Sequence, residues 1–331
     1  MKAFSRRDFL KLAGGVAVAS VLPPPSYAGV LDRLFHEPAR LRQAITLNDE
    51  FYVTSYRSPP DIRIERWSLS IKGLVEKPFA LTHPQLLARP AVSEIVTLEC
   101  VGNGLTADAI STAEWRGSSL KSLIEEAGAS PQAADVVFRA ADGYSDSIPF
   151  ARAMADDVLV AYAMNGMSLP RGHGFPARII VPGIYGMKSV QWLTEIEVVE
   201  QDYKGYYQLK GWSDEAVVKT SSHIDLPSHG GVLKGRESLV RGFAFAGTRG
   251  IKQVEVSTDG GDMWNVADLD PELSPSTWRF WSYRWVLPKP GRYSLAVRAT
   301  DGRGRLQLLE EQAAFPDGAV GLHEITITVQ A

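Results

Sequence analysis

The sequence has one cysteine in 331 residues, and that scarcity excludes more than any other feature of it. A single cysteine forms no internal disulfide. It also rules out an iron-sulfur cluster or a covalently attached c-type haem held by this chain alone, since each needs more than one. Excess charge is missing too. With 35 Lys and Arg against 38 Asp and Glu, the formal net charge of −3 gives no electrostatic case for a nucleic-acid partner or an anionic lipid surface. Of the six histidines, His36, His83, His223, His229 and His323 show no metal-ligand spacing and read as surface or capping groups. Long apolar runs are limited to Leu12–Leu22. That run is shorter than the about 20 residues needed to cross a hydrocarbon layer of roughly 30 Å.

What surrounds that run is informative. Ser5-Arg6-Arg7-Asp8-Phe9-Leu10-Lys11 precedes it, and Pro23-Pro24-Pro25-Ser26-Tyr27-Ala28 follows with a small-x-small ending. The pattern reads as a twin-arginine export signal over residues 1–28, against a chance Arg pair before a buried helix or an uncleaved anchor. The expectation is a periplasmic protein exported already folded, which suits a cofactor inserted before export. The remaining about 300 residues exceed what one core usually covers, so two domains are expected, 29–215 and 216–331.

Within the first domain, the run from Phe51 to Tyr56, closed by Pro59-Pro60, reads as strand-like, and Trp67–Val75 alternates as a strand. Leu81–Leu87 and Ser118–Ala127 read as helices. Ile95–Cys100, Val136–Ala140, Val158–Met164 and Ala177–Val181 read as strands, with Asn165-Gly166 as a hairpin turn. From about residue 236 short alternating strands dominate: Ser238–Phe245, Ile251–Thr258, Trp278–Trp285, Arg292–Thr300 and Glu324–Val329. These read as a β-sandwich in which Trp278, Trp281 and Trp285 are core or interface residues. An α+β domain followed by an all-β sandwich is the expected fold class. The second half shows no cluster of titratable groups, which assigns the chemistry to the first. Asp156-Asp157 reads as a solvated loop.

Cys100 ends an apolar strand and leads into Val101-Gly102-Asn103-Gly104, a loop that lets backbone approach a ligand while presenting the sulfur. A thiol so placed can be a nucleophile or a soft-metal ligand, and by default it is a small buried hydrophobe. A second cluster, from Leu169 through His173, Arg178 and Lys188 to Leu193, mixes cations with glycine-exposed N–H groups. It suits a phosphate, against ordinary surface Arg and His.

Four segments in order, Thr97-Leu98-x-Cys100-x-Gly102-Asn103, Met164-Asn165-Gly166-x-x-Leu169-Pro170, His173-Gly174-Phe175-Pro176-x-Arg178, and Tyr185-Gly186-x-Lys188-Ser189-Val190-x-Trp192-Leu193, closely resemble the sulfite oxidase family. The resemblance runs from about Phe51 to Val329. Val254–Gly261 and Trp264 resemble that family's immunoglobulin-like dimerisation domain. It implies a molybdopterin-binding catalytic domain and a molybdenum held by a pterin dithiolene and by Cys100. It implies pterin or phosphate contacts from Tyr52, Val53, Thr54, Ser55, Tyr56, Asp142, His173, Arg178, Ser189, Val190 and Gln191. A homodimer is a further implication, as is a separate electron partner such as a c-type cytochrome or membrane haem protein.

The same resemblance marks departures. Sulfite oxidases hold their dianionic substrate with arginines and a tyrosine near the metal. Here Thr54 stands at one arginine position, Gly104-Leu105-Thr106 at another, and Phe315-Pro316-Asp317-Gly318 near a third. Trp212 stands where the catalytic tyrosine is counted, with Tyr206 and Tyr207 close by. Gln191 replaces a phosphate lysine, for which Lys188 is the substitute. The implied substrate is a small oxo compound other than sulfite, in a pocket of Thr54, Leu105 and Trp212. A true sulfite dehydrogenase is the alternative, with Lys188, Arg57 or Arg116 supplying charge. A cofactor-free periplasmic binding or assembly module and a cysteine-nucleophile enzyme are the readings from other classes.

Overall fold

A computed structural model describes residues 42–331. The export signal and His36 lie outside the described residues. No helix among the described residues is long and apolar enough to cross a membrane.

The first half is built on two five-stranded sheets. One runs Phe79–Thr82, Ser68–Gly73, Leu193–Val199, Asp135–Ala140, Ser145–Pro149. The other runs Val92–Glu99, Ile110–Ser119, Leu159–Met164, Met167–Ser168, with Arg178–Ile180 against Leu159–Met164. Helices are short, His83–Leu87, Leu120–Ala127 and Phe150–Ala153. Leu120–Ala127 buries Leu120, Leu123, Ile124 and Ala127 on one face. It starts where Ser119 Oγ accepts from Ser122 N–H and stops at Gly128, whose φ of 69° lets the chain turn away.

In the second half, a four-stranded sheet (Ser221–Leu226, Glu237–Phe245, Arg279–Val286, Asp268–Leu269) faces a five-stranded one (Val232–Lys234, His323–Gln330, Gly291–Asp301, Ile251–Ser257, Asn265–Val266). Val240, Trp281 and Trp285 from one sheet meet Val254, Leu295 and Ile327 from the other in a shared core. This is sandwich packing.

Four strands of five or more residues depart from expectation: Ile110–Ser119, Ser145–Pro149, Leu193–Val199 and Ser221–Leu226 carry no sequence signal recognised above. Ile110–Ser119 is covered on both faces over most of its length, so it shows small residues rather than alternation. The run Phe51–Tyr56 joins no sheet and stays irregular. The second half does gather titratable groups. His223 and His323 stack with ring centroids 3.8 Å apart, and Asp225 pairs with Arg42 at 3.2 Å. These two histidines are half-buried, each on a strand of the sandwich.

The halves are stitched together beside the cysteine strand. Thr97 N–H donates to Ser276 O at 3.0 Å, and Trp278 N–H donates to Thr97 Oγ1 at 2.9 Å. Val101, Ala107 and Ile110 pack with Phe243, Phe245 and Trp278. The loop after Cys100 is therefore held from both sides.

Candidate active site

Cys100 stands where Val92–Glu99 ends, and the loop that follows it is clamped. Its N–H donates to Ala109 O at 3.0 Å and its carbonyl accepts from Asn103 N–H at 2.9 Å. Asn103 Nδ2 donates to Glu99 Oε1 at 2.9 Å, while Ala109 N–H donates to Asn103 Oδ1 at 3.0 Å. Burial pushes the Cys100 thiol above its usual range, only partly offset by hydrogen bonds from the Gly102 backbone and the Thr54 side chain. A thiol so placed is no free nucleophile at neutral pH. A metal cation is what would make it a thiolate.

Cys100 opens into a cavity of about 220 Å³. Tyr52, Thr54, Ser55 and Tyr56 form one wall, Ser189, Val190 and Gln191 another, and Asp142, Arg178 and Trp212 complete it. The irregular backbone of residues 51–56 brings three consecutive side chains, Thr54, Ser55 and Tyr56, near one space, which an alternating strand cannot do. Gly186 permits the close approach of Tyr52: a Cβ there would lie 2.7 Å from the phenol oxygen.

Arg178 is the one cationic residue on this wall among the described residues. It donates through Nη1 to His173 O and through Nη2 to Ser189 O, each at 3.0 Å, with its plane over Trp115 at 5.0 Å. Burial lowers its pKa to about 10, so it remains charged at neutrality. Arg178 Nε, Asp142 Oδ2 and His173 Nδ1 are buried with no partner among the described residues. Glu99, behind the thiol, is raised to about 7 by burial.

Several expected residues are placed otherwise. Val53 is 57% exposed and does not line the cavity. His173 sits behind the wall, its Nε2 donating to Asn48 O at 2.7 Å, and burial lowers its pKa so that the ring stays neutral. Lys188 is buried, paired with Asp146 at 3.0 Å and Asp214 at 3.1 Å, and is not among the residues that line the cavity. Leu105 belongs to a separate small pocket beside His223. Arg116 is exposed on its strand, whereas Arg57 stacks on Tyr56 at 5.0 Å, at the margin of the cavity. Tyr144 lines the cavity without having been singled out, and so does Tyr207, named above only as a neighbour of the counted position. Counting from His173 reaches Trp212, but aromatic packing brings Tyr207 to the same wall, 6.5 Å from Trp212 between ring centroids. Among the described residues no group of three or more His, Cys, Asp and Glu could hold a metal.

Comparison with known proteins decides the family. Residues 56–207 match the oxidoreductase molybdopterin binding domain, and residues 197–311 match the Mo-co oxidoreductase dimerisation domain. Sulfite oxidase of Gallus gallus is 31% identical over 82% of this chain and 70% of its own length. The chain belongs to the sulfite oxidase family of molybdopterin-dependent oxidoreductases. Human mitochondrial sulfite oxidase is 33% identical over 74% of this chain and 53% of its own, so the chain spans about half of that relative. NADH nitrate reductase of Solanum lycopersicum is 30% identical over 76% of this chain and 34% of its own. The sulfane dehydrogenase SoxCD structure from Paracoccus pantotrophus shares the fold, with a TM-score of 0.76 at 22% identity and 96% coverage of each chain.

The residues present fit the family's cofactor. An isolated soft sulfur, an unpartnered Arg178 N–H and an unpartnered Asp142 oxygen around one cavity offer a ligand, a donor and an acceptor to a metal-bearing pterin.

Proposed function

We propose that this member of the sulfite oxidase family transfers an oxygen atom to or from a small uncharged oxo compound, such as a sulfoxide, with Cys100 as the protein ligand to molybdenum. When bound, the molybdopterin supplies the two-electron redox step. Cys100 would anchor the metal, Arg178 and Ser189 to Gln191 would hold the phosphate end, and Asp142 with Tyr52 to Tyr56 would orient the pterin. The observation that carries the substrate reading is the wall itself: aromatic rings, a thiol, hydroxyl and amide groups and the Asp142 carboxylate, with a single cation already tied to two carbonyls.

The β-sandwich suits an immunoglobulin-like dimerisation domain, which supports a homodimer. With one cysteine and no route to a cluster or covalent haem, electrons would pass to a separate c-type cytochrome or membrane haem protein. Export by the twin-arginine route to the periplasm is part of the same reading. Retention inside the cell of a variant with lysine at positions 6 and 7 is its test, and unimpaired export would sink it.

The deciding experiment is metal analysis. Protein matured where molybdopterin is made should carry about one molybdenum per chain, because one thiolate and one phosphate cradle are present. Cys100→Ser should lose activity and most of the metal while keeping its fold by circular dichroism. Wild-type protein free of molybdenum under those conditions would refute the reading.

A further inference from the structure

Behind the cavity lies a chain of polar side chains that neither the substrate nor the cofactor reading uses. Tyr144 lines the cavity, and its phenol oxygen lies 2.9 Å from Asp146 Oδ2 and 2.9 Å from Met187 O. Asp146 is fully buried and its Oδ1 is 3.0 Å from Lys188 Nζ, itself 2% exposed. Lys188 Nζ is 3.1 Å from Asp214 Oδ1. Asp214 is 41% exposed and also pairs with Lys204 at 2.5 Å. An unbroken line of hydrogen bonds and ion pairs thus joins the cavity wall to solvent.

We propose that Tyr144, Asp146 and Lys188 form a proton relay between the active-site cavity and the surface carboxylate Asp214. It rests on the oxidoreductase reading above, because water-coupled oxygen transfer has protons to move. With X the substrate, X + H₂O → XO + 2 H⁺ + 2 e⁻, the electrons leaving to a one-electron haem-type acceptor and the protons leaving the cavity; the reverse direction takes up the same two.

The head of the relay has a particular proton count. Tyr144 has one O–H and faces two acceptors, the Asp146 carboxylate and the Met187 carbonyl. A proton arriving at the phenol can therefore be accommodated without moving a heavy atom: Asp146 takes one while the phenol hydrogen turns to Met187 O. Burial raises the pKa of Asp146 against Lys188, Ser147 N–H and the Tyr144 phenol, which lower it, so lowering the pH populates the protonated acid. The onward step is concerted. The Asp146 carboxyl turns to carry its proton from the Oδ2 side, where Tyr144 lies, to the Lys188 side, and Lys188 passes a proton to Asp214 as it receives that one. Tyr207 and Asp142 also face Tyr144, and Gln208 Nε2 stands 3.5 Å from Asp146 Oδ2. At the outer end, Asp202 joins Lys204 at 2.7 Å.

A structural ion-pair network predicts a different outcome from a relay. In the purified enzyme, infrared difference spectra in H₂O and D₂O should contain a carboxylic-acid stretch that is sensitive to pH and absent in Asp146→Asn. That readout does not depend on the metal, whereas molybdenum content reports separately on the functional reading. In loaded enzyme, proton release on oxidation of substrate, followed with an indicator dye in stopped flow, should slow at least about tenfold in Tyr144→Phe. Asp214→Asn, which keeps an oxygen for Lys188 and whose fold is checked by circular dichroism, should slow it as well and change the solvent isotope effect on kcat while leaving KM unmoved. Absence of the Asp146 band at every pH, or release rates and isotope effects in Tyr144→Phe and Asp214→Asn equal to wild type, would overturn the relay.

Discussion

Arg178 carries the specificity argument at the scale of single residues. Two of its nitrogens are fixed on main-chain carbonyls and its plane is stacked on Trp115, so it cannot swing to a second anion. Lys188 is equally committed, to Asp146 and Asp214. Arg57, exposed and stacked on Tyr56, lies at the cavity margin. A dianion entering this space would lose its hydration and meet little positive charge. Each charge-assisted hydrogen bond is worth about 1.5–3 kcal/mol, so three missing arginines remove on the order of 4–9 kcal/mol of anion binding. The contributions share one ligand and do not simply add, yet the low end alone is about a thousandfold in affinity. Sulfite should accordingly be a poor substrate in steady-state kinetics with an artificial acceptor. A kcat/KM near or above about 10⁶ M⁻¹s⁻¹ would show that Arg57 restores the anion site and that the chain is a sulfite dehydrogenase.

Elements that announce themselves by a turn or a period were legible in the sequence. Asn165-Gly166 is the sharpest case: both residues have positive φ, 51° and 73°, and they join Leu159–Met164 to Met167–Ser168. Helix Leu120–Ala127 and the long strands of the sandwich were equally readable from their apolar spacing. Strands flat to both faces, and residues 51–56, were not, because their conformation is imposed by neighbours rather than by local preference. The site divides likewise. Cys100, Arg178 and Ser189 sit in motifs, whereas Tyr144 and Tyr207 reach the cavity only through tertiary packing. Asn165 links the two levels. Its side chain accepts from Glu114 N–H at 2.9 Å and donates to Thr46 O and Asn48 Oδ1 at 2.9 and 2.8 Å. Asn48 O in turn receives His173 Nε2. Asn165→Ala should destabilise by about 2–4 kcal/mol in urea titrations, through backbone strain and unpaired polar groups, and should reduce cofactor retention. Gly166→Ala meets nothing within 4 Å and should lose only about 1–2 kcal/mol, with retention intact. Equal effects of the two changes would show that the Asn165 side chain contributes nothing beyond the turn.

The behaviour of the whole molecule in acid should be governed in part by the stacked pair His223 and His323. His323 lies on the last long strand, yet its Nδ1 accepts from Ile224 N–H at 3.0 Å, and His223 Nδ1 donates to Leu105 O at 3.2 Å, in the segment that follows Cys100. The pair thus ties the sandwich to the catalytic half. Burial lowers His223 to about 3, assisted by His323 and Arg42, and lowers His323 to about 4, assisted by His229. Above pH 6.5 the rings are neutral whether the chain is folded or not, and the pair has no linkage to pH. As the pH falls below 6.5 the unfolded chain binds protons that the folded one refuses, so stability drops until the folded values are reached. At pH 5 that amounts to about 2 kcal/mol for each ring. Glu99 works against this trend, since an acid raised to about 7 by burial favours the folded state as the pH falls through the same range. The wild-type curve alone therefore mixes two opposite slopes, and the informative quantity is a difference. His323→Asn keeps an acceptor for Ile224 N–H without a titratable ring. Between pH 7 and pH 5 it should lose about 2 kcal/mol less than wild type in urea denaturation of the same preparations. Parallel losses in the two proteins would mean that the stacked pair takes up its protons without opening the joint, and that acid acts elsewhere.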